Sequence, residues 1–222
     1  MNKSVSFYTL GCKVNQYETQ VLKEKFASCG YEIRGEEDRA DVYIINTCSV
    51  TSLSDRKSRQ YIRRMKKQNP DALIAVTGCY VQVNPDEVLS VEGVNIVAGT
   101  NEKNKLLDYV NGYLAKHEAS RAEKESHILP YEKLGVYDES GSITFMDSRT
   151  RGFVKVQEGC DRFCSYCIIP YARGAVRSRA IEDVVDEVRK LVENGMKEAV
   201  LTGINTALYG SDFNLNLNCC SD

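Results

Sequence analysis

Apolar positions in the first half of the chain fall in short continuous runs, separated by longer amphipathic stretches. "VSFYTLG" (5–11), "DVYIINT" (41–47), "ALIAVTG" (72–78) and "VNIVAG" (94–99) are rich in β-branched and aromatic residues and show little polar alternation. That composition predicts strands covered on both faces. Helical spacing fills the intervals. "NQYETQVLKEKFASCG" (15–30) places Tyr17, Val21, Leu22 and Phe26 near one face and closes on Gly30, a helix with a glycine stop. "SLSDRKSRQYIRRMKKQ" (52–68) predicts a basic helix ended by Asn69-Pro70, and "NPDEVLS" (84–90) a helix with Pro85 at its first position. "KNKLLDYVNGYLAK" (103–116) predicts the last helix of this half. Strands alternating with helices imply a parallel sheet with helices on both faces, in an α/β domain over 1–116.

The pattern changes at 117–150, which is polar, charged and without period; it reads as a linker. From Arg151 a second α/β domain begins, spanning 151–222. "FVKVQ" (153–157) predicts a strand. "AIEDVVDEVRKLVENG" (180–195) predicts an amphipathic helix with Ile181, Val184, Val185, Val188, Leu191 and Val192 on one face, and "EAVLTG" (198–203) predicts the next strand. One such crossover is too little for a stable α/β domain, so the second domain reads as cut short.

Composition narrows the function classes. The chain has 222 residues, 42% hydrophobic and 27% charged, with a net charge of −2; nothing global favours nucleic acid, so any RNA contact needs a local basic face. The N-terminus lacks a signal peptide's apolar core, and no run approaches the ~20 apolar residues of a membrane span. A cytoplasmic protein is expected. Nine cysteines in that compartment point to metal binding or catalysis rather than disulfides. The only histidines, His117 and His127, lie in the polar stretch, which argues against histidine-based triads and zinc sites.

The cysteines carry the chemistry. In "EGCDRFCSYCIIPYARG" (158–174), Cys160, Cys164 and Cys167 are spaced C-x3-C-x2-C, and the next cysteine is Cys219. Structural zinc takes four ligands, and the adjacent Cys219 and Cys220 are poorly arranged to complete such a site. A three-cysteine cubane would leave one iron open to an exogenous ligand; a zinc knuckle or three reduced core thiols is the plainer alternative. A second trio emerges from the strand pattern. Cys12, Cys48 and Cys79 each follow a strand, and in a parallel sheet those strand ends share one edge. Gly11 and Gly78 beside two of them permit close backbone approach. Cys29, at a helix end, reads as a bystander. The basic helix (Arg56, Lys57, Arg59, Arg63, Arg64, Lys66, Lys67) reads first as a solvated face and second as a phosphate contact. Arg173, Arg177 and Arg179 are candidates for an anionic substrate or for cluster charge. Tyr166 and Tyr171 are candidates for stacking on a base or cofactor, or for packing. Neither G-x-x-x-x-G-K-[ST] nor G-x-G-x-x-G occurs, so no phosphate cradle is indicated.

"GCDRFCSYCIIPYARG" resembles the cluster loop of radical S-adenosylmethionine enzymes. Together with "TLGCKVNQYE" (9–18), "INTCSVT" (45–51) and "TGCYVQ" (77–82), it is similar to the methylthiotransferases over residues 5–210. The motif wording is most like the branch acting on threonylcarbamoyladenosine at tRNA position 37. Other branches act on isopentenyladenosine in tRNA or on a ribosomal-protein aspartate. The resemblance implies a flavodoxin-like N-terminal parallel α/β domain, then the first part of an incomplete radical SAM (βα)6 barrel. It implies that Cys160, Cys164 and Cys167 hold a 4Fe-4S cluster whose open iron binds S-adenosylmethionine, producing a 5′-deoxyadenosyl radical that takes hydrogen from C2 of the adenine. It implies that Cys12, Cys48 and Cys79 hold an auxiliary 4Fe-4S cluster that delivers the sulfur. Gly203 and Asn205 fall where the family contacts S-adenosylmethionine. The implied partners are the tRNA anticodon loop and an electron donor such as flavodoxin or ferredoxin, with no membrane and a monomeric state.

The tail "SDFNLNLNCCSD" does not resemble the helix that the family carries after this strand. It reads as a truncated or frameshifted end, with the chain inactive on its own. The competing readings are a two-cluster electron-transfer module and a non-functional fragment.

Overall fold

The computed structural model describes residues 3–48, 52–117, 123–134, 141–146 and 151–213. The chain divides into two compact units between Leu129 and Pro130.

The first unit is a six-stranded sheet. Its elements run β1 (Ser4–Thr9), α1 (Lys13–Ser28), β2 (Glu32–Arg34), β3 (Val42–Thr47), α2 (Ser52–Gln68), β4 (Leu73–Gly78), α3 (Cys79–Val83), α4 (Pro85–Ser90), β5 (Ile96–Ala98), α5 (Leu106–Lys116) and β6 (Glu125–His127). The strands are ordered β2-β1-β3-β4-β5-β6 and every pair is parallel. The first five strands follow the flavodoxin-like order. Strand pleating sends alternate residues to opposite faces. Val42 and Ile44 of β3 therefore join a core with Phe7, Leu22, Phe26, Val110 and Tyr113, while Tyr43 and Ile45 join one with Ile62, Met65, Ile74 and Val76. Two cores on one sheet explain why β3 and β4 are buried at every position.

Local chemistry ends α1 where the glycine indicated. Gly30 takes φ +84, its N–H donates to Ala27 O at 3.0 Å, and Tyr31 N–H donates to Phe26 O at 3.0 Å. This is a Schellman motif, completed by the Phe26 and Tyr31 rings, 5.0 Å apart at 69°.

The stretch expected as a linker, 117–150, is divided between the two units. Glu125–His127 pairs with β5 as the sixth strand, and His127 stacks on Tyr109 at 3.7 Å. Further on, Leu134 and Ile143 are buried, and Ile143 N–H donates to Glu187 Oε1 at 2.9 Å. The linker reading failed because β6 is short, polar and held by main-chain pairing at a sheet edge, so it leaves no apolar period.

In the second unit, β7 (Arg151–Lys155), β8 (Gln157–Glu158), α6 (Ile169–Arg173), β9 (Arg177–Ser178), α7 (Ile181–Glu193) and β10 (Glu198–Thr202) follow in order. β7 and β10 are parallel neighbours joined through α7, one strand–helix–strand unit of the expected barrel. β8 and β9 form a small antiparallel pair. The predicted apolar face of α7 is largely not core. Leu191 is buried against Gly152, but Ile181, Val185 and Val192 are exposed. Val184, Val185, Val188 and Val192 line an open groove with Ala199 and Leu201 of β10. Two strands give the helix too little sheet to cover.

Candidate metal centres

The first centre lies at the carboxyl edge of the parallel sheet. β1, β3 and β4 are adjacent and run the same way, so Cys12, Cys48 and Cys79 leave the sheet on one side. β1 and β3 flank the point where the strand order reverses, where such sheets place their sites. Thr9 is opposite Asn46 and Thr47 opposite Gly78, which brings the chain segments out level with one another. Two glycines then allow contact. A Cβ on Gly11 (φ +114) would stand 2.7 Å from Cys48 Cβ and 3.0 Å from Cys48 Sγ. A Cβ on Gly78 (φ +107) would stand 2.2 Å from Thr47 O. Cys12 is exposed at the N-terminal cap of α1, whereas Cys48 and Cys79 are buried. Cys29 ends α1 at the far edge and takes no part.

Two asparagines hold these segments together. Asn15 is fully buried, and its Nδ2 donates to Leu10 O at 2.7 Å and to Thr47 O at 2.9 Å. One amide thus joins the chain just before Cys12 to the chain just before Cys48. Asn46 Nδ2 donates in turn to Asn15 O at 3.1 Å and to Thr19 Oγ1 at 3.1 Å. Thr47 Oγ1 donates to Thr77 O at 2.6 Å, tying the β3 end to β4. The sequence reading missed both asparagines. The available signal was an amide side chain at the start of a helix, inside a stretch that otherwise shows helical amphipathicity.

The second centre is the loop of Cys160, Cys164 and Cys167. Cys164 is exposed and the other two are half-buried. The base of the loop is tightly closed. Cys160 N–H donates to Gly174 O at 3.0 Å. Gly159 (φ +73) approaches so closely that a Cβ there would lie 1.8 Å from Ala175 O. Glu158 pairs with Arg173 at 2.6 Å and with Lys155 at 2.9 Å, all three buried. Within the loop, Cys167 N–H donates to Cys164 O at 2.9 Å.

Gln157 links this loop to Gly203 and Asn205. Its Nε2 donates to Glu158 O at 2.8 Å and Gly159 O at 2.7 Å. Its Oε1 accepts from Asn205 N–H at 2.9 Å, and a Cβ on Gly203 would lie 2.8 Å from that oxygen. The two residues expected near S-adenosylmethionine are thus anchored through one fully buried amide. Gln157 and Glu158 were also missed by the sequence reading.

One expectation is corrected. Arg173 and Arg177 are buried and directed to Glu158, with Arg177 also donating to Leu134 O. Arg179 is buried and paired with Glu187. These arginines hold the loop and the fold, so they are not open anion sites. The basic helix α2 buries Ser58, Tyr61, Ile62 and Met65 and turns Arg56, Lys57, Arg63 and Lys67 outward, the solvated-face reading. Cys219 and Cys220 lie outside the described residues.

The donor sets suit iron–sulfur clusters. Each is three soft thiols, with Gly11, Gly78 and Gly159 preceding Cys12, Cys79 and Cys160 and allowing close backbone approach. Among the described residues, no three Cys, His, Asp or Glu side chains come together as ligands to one metal ion would. A cluster makes a different demand, since each thiolate bonds its own iron.

Comparison with known proteins finds a match in each of the two units. Residues 4–99 match the model of "Uncharacterized protein family UPF0004", and residues 154–219 match that of the "Radical SAM superfamily". The chain is 50% identical over 209 residues to "Threonylcarbamoyladenosine tRNA methylthiotransferase MtaB" of Bacillus subtilis (strain 168), covering 94% of this chain and 45% of that protein. It is 32% identical to "tRNA-2-methylthio-N(6)-dimethylallyladenosine synthase" of the same organism, covering 92% of this chain and 40% of that one. Among solved structures, the radical S-adenosylmethionine methyltransferase TsrM from Kitasatospora setae aligns with a TM-score of 0.58 at 14% identity, over 93% of this chain and 48% of that one; this is a likeness of fold. The chain spans about half the length of the curated relatives it matches.

Proposed function

Because the chain joins a domain of family UPF0004 to one of the radical SAM superfamily, we propose that it forms the cluster-binding part of a tRNA methylthiotransferase. The substrate assigned is threonylcarbamoyladenosine at tRNA position 37, converted to its 2-methylthio derivative. The observation that carries the reading is the two sets of three cysteines: Cys12, Cys48 and Cys79 after three adjacent parallel strands, and Cys160, Cys164 and Cys167 on one loop, with close backbone approaches at Gly11, Gly78 and Gly159. The relative whose name gives the threonylcarbamoyl substrate is the more similar of the two compared, at 50% against 32% identity.

In this reading Cys160, Cys164 and Cys167 hold one 4Fe-4S cluster and Cys12, Cys48 and Cys79 the other. When bound, the clusters and S-adenosylmethionine supply one-electron cleavage of the sulfonium and the sulfur to be transferred. The chain's own residues supply placement. Gln157 fixes Gly203 and Asn205 against the base of the cysteine loop. Glu158 and Arg173 pin the two ends of that loop. Asn15 fixes the upstream pair of cysteine-bearing segments. The electron donor is assigned as flavodoxin or ferredoxin, and the setting as cytoplasmic and monomeric. No helix among the described residues is long and apolar enough to cross a membrane.

The test is anaerobic reconstitution with iron and sulfide, followed by metal analysis and incubation with S-adenosylmethionine, dithionite and tRNA bearing threonylcarbamoyladenosine. Iron near eight per chain, about four lost on replacing either trio by alanine, and a 2-methylthio nucleoside in the digested tRNA support the reading. Zinc in place of iron, or iron indifferent to one trio, would overturn it. Cluster loading with neither cofactor cleavage nor tRNA product would favour the electron-transfer module.

A further inference from the structure

Phe163, the residue just before Cys164, is the one non-glycine with positive φ among the described residues, at +46. Such a backbone is unfavourable for a bulky side chain and persists where the surroundings impose it, commonly at functional sites. Burial does not compensate, because the ring is 47% exposed. Phe163 is not isolated. Its ring centroid lies 5.7 Å from that of Tyr171 at 79° and 6.4 Å from that of Tyr131 at 66°. Tyr131 and Tyr171 are 6.2 Å apart at 46°, and they are 40% and 55% exposed. Three segments of the second unit thus present three touching rings to solvent: the turn Tyr131–Lys133, the cysteine loop and α6.

Exposed apolar residues scattered singly need no explanation, but a contiguous patch does. Aromatic faces at this spacing stack planar rings, and unpaired nucleobases are the planar rings that proteins take up this way without regard to sequence. Arg162 and Lys133 are exposed on the same segments, as are Asp161 and Glu132. The local charges balance, so stacking rather than phosphate attraction carries recognition. Rings about 6 Å apart on three sides extend beyond a single base. The geometry points to a stacking platform, Tyr131, Phe163 and Tyr171, for unpaired nucleotides of the RNA substrate flanking the nucleotide being modified. This inference rests on the tRNA reading above and adds where, and by what contact, the RNA is held.

The test is binding of a fluorescent anticodon stem–loop RNA, and of a fully paired duplex of similar length, to the reconstituted 222-residue chain and to Phe163→Leu, Tyr171→Leu and Tyr131→Leu. Each leucine variant is expected to weaken stem–loop binding about tenfold and to leave duplex binding unchanged. Phe163→Gly relieves the strained backbone, so it is expected to lose RNA affinity without lowering the thermal midpoint, whereas a ring that served packing would lower both. Absence of stem–loop binding by the parent chain overturns the platform. So does unchanged affinity in the leucine variants, or equal loss for stem–loop and duplex. Loss of the electron paramagnetic resonance change caused by S-adenosylmethionine, with RNA binding intact, also overturns it and assigns the rings to the cofactor. The methylthiotransferase reading is decided separately by iron content and tRNA product, so either can fail alone.

Discussion

Replacing Asn15 by leucine tests whether one buried amide assembles the upstream cysteine centre. The two side chains have the same heavy-atom count and branching, so the substitution removes the donors while keeping the outline of the side chain, at the cost of some added bulk. In the parent, Nδ2 serves Leu10 O at 2.7 Å and Thr47 O at 2.9 Å. Each hydrogen bond contributes a net ~1 kcal/mol, and a buried acceptor deprived of its donor costs about 1–3 kcal/mol. Some of that is recovered by leucine's apolar surface, leaving a loss of roughly 2–4 kcal/mol. For a chain of this size the unfolding midpoint falls about 2–4 °C per kcal/mol, so a drop on the order of 5–15 °C is expected in the metal-free protein. The local effect is more specific. Without the bridge, the main-chain bond from Leu10 N–H to Asn46 O at 2.9 Å still ties the segments two residues before Cys12 and Cys48, but the stretches beyond it lose their side-chain anchor. In a background with Cys160, Cys164 and Cys167 replaced by serine, iron reports on the upstream trio alone. There, Asn15→Leu is expected to reduce iron from about four per chain to less than one, while circular dichroism shows the sheet retained below the midpoint. Full iron occupancy with a midpoint within about 1 °C of the parent would refute the reasoning, because it would mean that the cysteines find their positions without the bridge.

Glu158→Gln leaves Arg173 and Lys155 buried with a neutral partner; breaking a buried pair in this way costs about 3–5 kcal/mol, and the expected result is loss of the downstream cluster's spectrum with the upstream one intact. Gly78→Ala forces a Cβ to within 2.2 Å of Thr47 O at φ +107, and its thermal midpoint should fall further than that of Gly112→Ala, where a Cβ meets nothing within 4 Å. Tyr61 is buried and donates to Glu36 O, and burial holds its phenol well above the usual range. The unfolded chain therefore releases that proton first, so stability should decline as pH rises beyond about 10; Tyr61→Phe should flatten that part of a thermal-midpoint against pH curve.

Much of the architecture was legible because burial wrote it into the pattern. Strands β3 and β4 read as unbroken apolar runs since both faces are covered, and α1 was legible down to its glycine stop. Three things were not. β2 and β6, three residues each at opposite sheet edges, are held by main-chain hydrogen bonds, which carry no side-chain signature. The face of α7 was correctly amphipathic, but amphipathicity reports which residues prefer burial and not whether the neighbouring surface exists. The arginines after the cysteine loop suggested an anion site by composition alone. Their partners Glu158 and Glu187 lie up to 19 positions away, and such pairings are invisible without the fold.

The two centres share a construction that spacing alone could not reveal. In each, a buried carboxamide spends both amide hydrogens on main-chain carbonyls beside the candidate ligand cysteines: Asn15 on Leu10 O and Thr47 O, Gln157 on Glu158 O and Gly159 O. A turn that leads into thiolate ligands has a polarity problem. Its carbonyl oxygens carry partial negative charge, and turned toward thiolate or sulfide they would repel it, whereas N–H groups would attract it. An amide NH2 group captures two carbonyls at once and keeps them directed into the protein. No other uncharged side chain of that length offers two donors on one atom. Serine could satisfy one carbonyl. A lysine would add a buried charge needing its own counter-ion. The position on a helix face or strand that best suits such a residue is one apolar periodicity would assign to the core, and Asn15 and Gln157 are both fully buried. A buried amide adjoining a candidate ligand turn is therefore the feature to seek when cysteines alone leave a centre undecided.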